Sequence, residues 1–137
     1  MDVKTKKILE KKFSIRFFSC DEFNKCYSAG LNLYIGKYDN LEYELISIFH
    51  ELGHYFLDKN FPLQVNYNTL LIELECWREG IIQANNIGIL FTDDAIQWGI
   101  QQALTYVGHD EREYRFFDKS KFWKNNQNIF LYQKQIV

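Results

Sequence analysis

Five consecutive residues, His50-Glu51-Leu52-Gly53-His54, set two imidazoles four positions apart with a carboxylate beside the first. On an α-helix that spacing leaves the rings about 40° apart around the axis, near enough for their nitrogens to share one metal ion. Glu51 projects about 100° round from His50, beside such an ion and not bound to it. That is where a general base must sit to take a proton from a zinc-bound water, whose pKa the metal lowers to roughly 7. With three His and ten Glu in 137 residues, a random order yields this pattern with a probability on the order of a few in a thousand. The spacing therefore points to metal-assisted hydrolysis.

Catalytic zinc usually takes three protein ligands and a water, so a third donor is required. The candidates are Glu73, Glu75, Glu79 and His109. If residues 69 to 84 are helical, Leu70, Leu74, Trp77, Ile81 and Ala84 share one arc, and Glu73 falls within it. A carboxylate on an apolar arc is costly to bury unless its charge is compensated, which a zinc ion does. Glu73 is therefore the expected third ligand. Glu75 lies with Glu79, Arg78 and Gln83 on the polar side and becomes the alternative ligand if a kink shifts the register. His109 lies 55 residues beyond His54, too far for the short motif in which a third His closely follows. His109 and Tyr106 are instead candidate donors to a tetrahedral oxyanion. Tyr43 and Ser47 share the histidine face and are candidates for outer contacts to the ligands.

The elements that must position these groups read as α+β. Phe13 to Phe17 alternates apolar and polar residues, as does Leu31 to Lys37, which puts Leu31, Leu33 and Ile35 on one face; both predict strands, the second after a turn at Ser28-Ala29-Gly30. From about Glu42 to Leu57 the period becomes helical, with Leu45, Phe49, Leu52 and Phe56 opposite His50 and His54. A second helix is expected from an N-cap at Asn68 or Thr69 to about Ala84, and a third from the N-cap Thr92 to about Val107. The expectation is a short sheet packed on about three helices, one domain over residues 1–137 with its core at about 13–107.

Composition agrees with a self-sufficient fold. Hydrophobic residues make up 47% and aromatics 18% of the chain, more than a disordered chain carries. The formal charge of −2 is uneven: residues 1–12 carry five Lys and two acids, and residues 115–137 carry five bases and one acid, leaving six bases and fifteen acids between them. Basic ends on an acidic body read as solvated segments, and no nucleic-acid partner is predicted. No stretch approaches the ~18 apolar residues of a membrane span, and residues 1–12 lack the apolar core of a signal peptide. Cys20, Cys26 and Cys76 are an odd set without a CxxC pair, which argues against a disulfide framework. A soluble, cytoplasmic protein is expected.

On His50-Glu51-Leu52-Gly53-His54 together with Glu73-Leu74-Glu75-Cys76-Trp77, the chain resembles the glutamate-zincin metallopeptidases (gluzincins), most closely the small ImmA/IrrE-type proteins, over about residues 13 to 107. The resemblance implies a zincin-like domain binding Zn²⁺ through His50, His54 and Glu73, with Glu51 as catalytic base and a protein or peptide substrate. It further implies that the strand Leu31–Lys37 aligns that substrate by edge pairing, and that such stand-alone domains are often encoded by phages or mobile elements. The chain departs from the family where Ala-Asn or Ala-Asp usually follows the ligand Glu at plus three and plus four; here Cys76-Trp77 stands, which implies a changed set of contacts to the ligands. The expected function is that of a zinc-dependent metallopeptidase, with a non-catalytic zinc-binding interaction protein on the same scaffold as the alternative.

Overall fold

Asp2 opens the first helix by accepting the backbone N–H of Thr5 at 2.7 Å, which satisfies one of the orphan donors of a first turn. The structure, a computed structural model, describes residues 1–60 and 69–103, and the side chains of residues 1–57 and 73–103. Helix α1 (Val3–Phe13) sends Leu9 into the core and ends at Ser14, whose φ of 56° turns the chain out of the helix. Two expectations are corrected here. Residues 1–12 are largely exposed but lie in a helix anchored by Leu9 and not in a loose end, and the strand expected at Phe13–Phe17 starts only at Arg16, because Phe13 is the last residue of α1. The apolar alternation holds for Ile15, which is buried, and Phe17, which packs against the core.

Strands β1 (Arg16–Phe23), β2 (Cys26–Ala29) and β3 (Asn32–Lys37) form one sheet in the order β1-β3-β2, with β1 parallel and β2 antiparallel to β3. The turn between β2 and β3 is two residues, Gly30-Leu31, with Gly30 at φ 62°, a conformation glycine adopts without strain. Ser28 and Ala29 therefore belong to a strand and not to the turn expected there. Leu33 and Ile35 are buried as expected, while Leu31, in the turn, is exposed. Because β3 is bonded on both sides, it has no edge to offer a substrate. Leu31–Lys37 is therefore not the edge strand that was expected, and the edges of the sheet are β1 and β2.

Three further helices complete an α+β architecture: α2 (Leu41–Asn60), α3 (Thr69–Asn86) and α4 (Asp93–Ala103). With α1 that makes four among the described residues, one more than expected. Asn40 caps α2 by accepting the N–H groups of Glu42 and Tyr43, and Thr92 caps α4 by accepting that of Ala95. Ile46, Ile48, Phe49 and Leu52 of α2 are 2% exposed or less and form the middle of the core with Leu33, Ile81, Ile96 and Ile100. No helix among the described residues is long and apolar enough to cross a membrane.

Helices α2 and α3 run antiparallel at a spacing set by two glycines. A Cβ on Gly53 would lie 2.0 Å from the carbonyl oxygen of Cys76, and one on Gly80 would lie 2.2 Å from that of Phe49. Any other residue at either position would hold the two backbones apart.

Candidate metal centre

That close crossing brings Glu73 of α3 up to both histidines of α2. Its carboxylate is 2.8 Å from Nε2 of His50 through Oε2 and 3.2 Å from Nε2 of His54 through Oε1. The two Nε2 atoms are 3.1 Å apart. Three donors bound at about 2.0–2.1 Å in tetrahedral geometry stand about 3.3 Å from one another, so the triangle needs only a few tenths of an ångström of expansion to admit a Zn²⁺ ion. The donor chemistry fits as well. Two ring nitrogens cannot face each other and a carboxylate at these distances as bare lone pairs; a proton or a metal cation must lie among them.

Electrostatics agrees with a site built for positive charge. Burial opposes a charged His54, but its contacts with Cys76 and Glu73 outweigh that and raise its pKa to about 10. Burial likewise disfavours ionised Glu73, yet the two histidines hold its pKa down to about 2. Glu73 and His50 are buried, at 6% and 9% exposure, and His54 is half-buried.

Among the described residues, His50, His54 and Glu73 are the group of His, Cys, Asp and Glu side chains that could hold a metal ion. Glu51 stands outside the triangle. Its Oε1 is 3.7 Å from Nδ1 of His50, and its Oε2 accepts a hydrogen bond from the Ser28 hydroxyl at 2.9 Å. Glu75 is exposed, lies 3.8 Å from Arg78 of its own helix and is not part of the triangle, and Glu79 accepts a bond from Gln83. His109 and Tyr106 lie outside the described residues. Tyr43 is turned toward α4, where its hydroxyl donates to Asp94 at 2.7 Å and its ring stacks on Trp98. Ser47 donates to the carbonyl of Tyr43 one turn above His50.

A cleft of about 330 Å³ opens beside the triangle, walled by Cys26 and Tyr27 of β2, Tyr38, Ser47, His50 and Glu51, Glu73 and Trp77, and Trp98 and Gln102 of α4. Burial pushes the Tyr38 hydroxyl up to about 12, so it remains a proton donor at neutral pH. Ser28 and the edge strand that carries it are among the parts of the site that the sequence reading missed. Their signal is the two-residue Gly30-Leu31 turn, which would have extended a strand back to Cys26 and set Cys26 and Ser28 on its inner face.

Fold and site together define an α+β domain with a two-histidine, one-carboxylate donor cluster at the wall of a cleft. No protein-family model, no curated protein and no solved structure matches the chain.

Proposed function

We propose that this protein is a zinc-dependent metallopeptidase of the glutamate-zincin type. The observation that carries the reading is the convergence of His50, His54 and Glu73 on one point at a cleft wall, with Glu51 alongside and outside the donor set. Two imidazoles and a carboxylate suit zinc among the common divalent ions, where an all-oxygen shell would suit Mg²⁺ or Ca²⁺. Bound there, the ion supplies a Lewis acid that polarises a carbonyl and makes a water nucleophilic near neutral pH.

The chain's own residues would do the rest. Ser28 holds Oε2 of Glu51, which leaves Oε1 to accept the proton of the attacking water and return it to the departing amine. A peptide added to the edge of β2 would run along the same wall of the cleft, its backbone held by main-chain hydrogen bonds and its side chains set alternately toward and away from the site. Tyr38, on that wall, is available to donate a hydrogen bond to developing negative charge.

Glu51→Gln tests the reading. It should retain about one equivalent of zinc, because Glu51 is not a ligand, and should lose cleavage of a quenched-fluorescence peptide library by roughly 10²-fold or more. Equal cleavage by the variant sinks the mechanism. Full biological effect from a variant that binds zinc but does not cleave would instead favour an interaction protein that keeps the metal without turnover.

A further inference from the structure

Two residues next to the donor triangle do more than fill the core. Cys76 is fully buried on α3, and its Sγ lies 3.2 Å from Nδ1 of His54. Trp77, 4% exposed, lies face to face with His50, the ring centroids 4.0 Å apart and the planes within 4°. Consecutive residues of one helix thus each contact a different histidine, and on the side of the ring away from the metal position or across its face. We infer that Cys76 and Trp77 are the positioning residues of the metal centre, Cys76 by fixing the tautomer of His54 and Trp77 by fixing the plane of His50. The inference rests on the metal-site reading above.

The chemistry of the imidazole supports it. His54 presents an Nε2 lone pair to a cation only when the hydrogen is on Nδ1. That hydrogen needs an acceptor in a buried place, and the ring nitrogens of ligating histidines are usually served by a carboxylate, a carbonyl or water. Here the Sγ of Cys76 is in that position. Sulfur is a weaker acceptor than a carboxylate oxygen, and here it orients the ring in place of one. His50 is treated differently, since its Nδ1 is 3.7 Å from the nearest Glu51 oxygen, beyond hydrogen-bond reach. Its ring is fixed instead by stacking on the indole. Packing alone does not explain the indole, because Nε1 of Trp77 is buried without a hydrogen-bond partner, a penalty that Phe or Leu would avoid. Nor does Trp77 have freedom to drift, since it meets Trp98 edge-on from α4, with centroids 6.2 Å apart.

The test uses the purified full chain and its Cys76→Ala, Cys76→Ser and Trp77→Phe variants, with Zn²⁺ affinity from chelator competition and imidazole N–H resonances from NMR of the zinc-loaded form. Cys76→Ala should weaken zinc binding about 10- to 100-fold and abolish the slowly exchanging Nδ1–H signal of His54. Cys76→Ser, which keeps an acceptor, should restore most of both. Trp77→Phe should weaken binding by about 2- to 10-fold through the smaller stacking surface. Unchanged affinity and an unchanged Nδ1–H signal in Cys76→Ala overturn the proposal, as does an affinity loss that Cys76→Ser does not rescue, which would mark a packing role. If the wild-type chain takes up no Zn²⁺, the metal-site reading falls first and this proposal with it, a failure seen before any variant is made.

Discussion

Replacing Gly53 with Ala adds one methyl group where α2 and α3 run closest. A Cβ there lies 2.0 Å from the Cys76 carbonyl oxygen and 3.1 Å from the Gly80 nitrogen, whereas carbon and carbonyl oxygen settle no nearer than about 3.3 Å. The overlap of about 1.3 Å is with backbone in a close-packed interior, so no rotamer change relieves it and α3 must move off α2 by something near 1 Å. Overpacking costs about 1–3 kcal/mol and Ala returns about 1 kcal/mol of helix propensity. Taking the upper end, because the clash is with backbone, gives a net loss of about 2 kcal/mol, or roughly 8 °C in the Tm of the metal-free chain. The metal centre should suffer more than the fold. Glu73 sits one helical turn before Cys76 and moves with it, while a zinc site tolerates ligand errors of only about 0.2 Å. Zinc affinity should therefore fall about 100-fold or more, read by competition with a chromophoric chelator, with melting followed by circular dichroism after EDTA treatment. Gly80→Ala meets the Phe49 carbonyl at 2.2 Å from the opposite helix and should do the same, and the double variant should fall short of additivity because either methyl alone opens the crossing. Wild-type zinc affinity and an unchanged Tm in Gly53→Ala would mean that the two glycines do not set the spacing of α2 and α3 at the site.

Glu73→Gln keeps the side chain's size but removes a buried anionic donor, so zinc affinity should drop about 100-fold, whereas the exposed Glu75→Gln should leave it unchanged; a loss in the second variant and not in the first reverses the assignment. Ser28→Ala removes the hydrogen bond to Oε2 of Glu51 and should lower kcat by about tenfold at constant zinc affinity; equal losses in both would mean that Ser28 supports the fold and not the base. For pH, the raised pKa of His54, about 10 against an ordinary 6.5, gives stability that is complete below 6.5 and lost as pH rises through 10 in the metal-free chain. Glu73, lowered from 4.5 to about 2, gives stability that is complete above 4.5 and lost as pH falls through 2. Metal-free Tm should thus decline from pH 6.5 upward while zinc affinity climbs about tenfold per pH unit as the displaced proton becomes easier to remove. Calorimetry in buffers of different ionisation enthalpy should find proton release on zinc binding, and a pH-independent affinity would contradict it.

Much of the His50, His54 and Glu73 cluster was legible because helices announce themselves over many residues. The period from Glu42 to Leu57 placed α2, and the N-cap Thr92 placed the start of α4. Glu73 was legible for a physical reason: a carboxylate on an apolar arc implies a compensating partner, and it is 6% exposed against two imidazoles. Helix α1 was not legible. Leu9 is its one buried residue, while Val3 and Ile8 are exposed, so a lysine-rich helix anchored so sparsely leaves almost no periodic signal. Strand β2 is four residues long, too short for alternation to stand out from the turn beside it.

The face of α2 that carries the histidines shows what periodicity omits. Hydrophobic period separates apolar from polar faces, and it placed His50 and His54 opposite the core. It does not say whether a polar face meets solvent or other protein, and here Ser47, at 5% exposure, and His50 are as buried as the core itself. Such a face is tolerable only if each polar group is answered, and the answers come from separate places: Tyr43 takes the Ser47 hydroxyl, β2 supplies Ser28 to Glu51, and α3 supplies Glu73 and Cys76 to the imidazoles. These partners satisfy the buried polar groups of the metal-free chain, and they would also set the terms on which it takes up an ion. A cation entering the triangle gains a carboxylate and two nitrogens already in place, but it must displace the proton that those same groups retain on His54. Donor geometry alone would predict tight binding at any pH; the partnered, buried setting of these donors would make the affinity a competition between metal and proton.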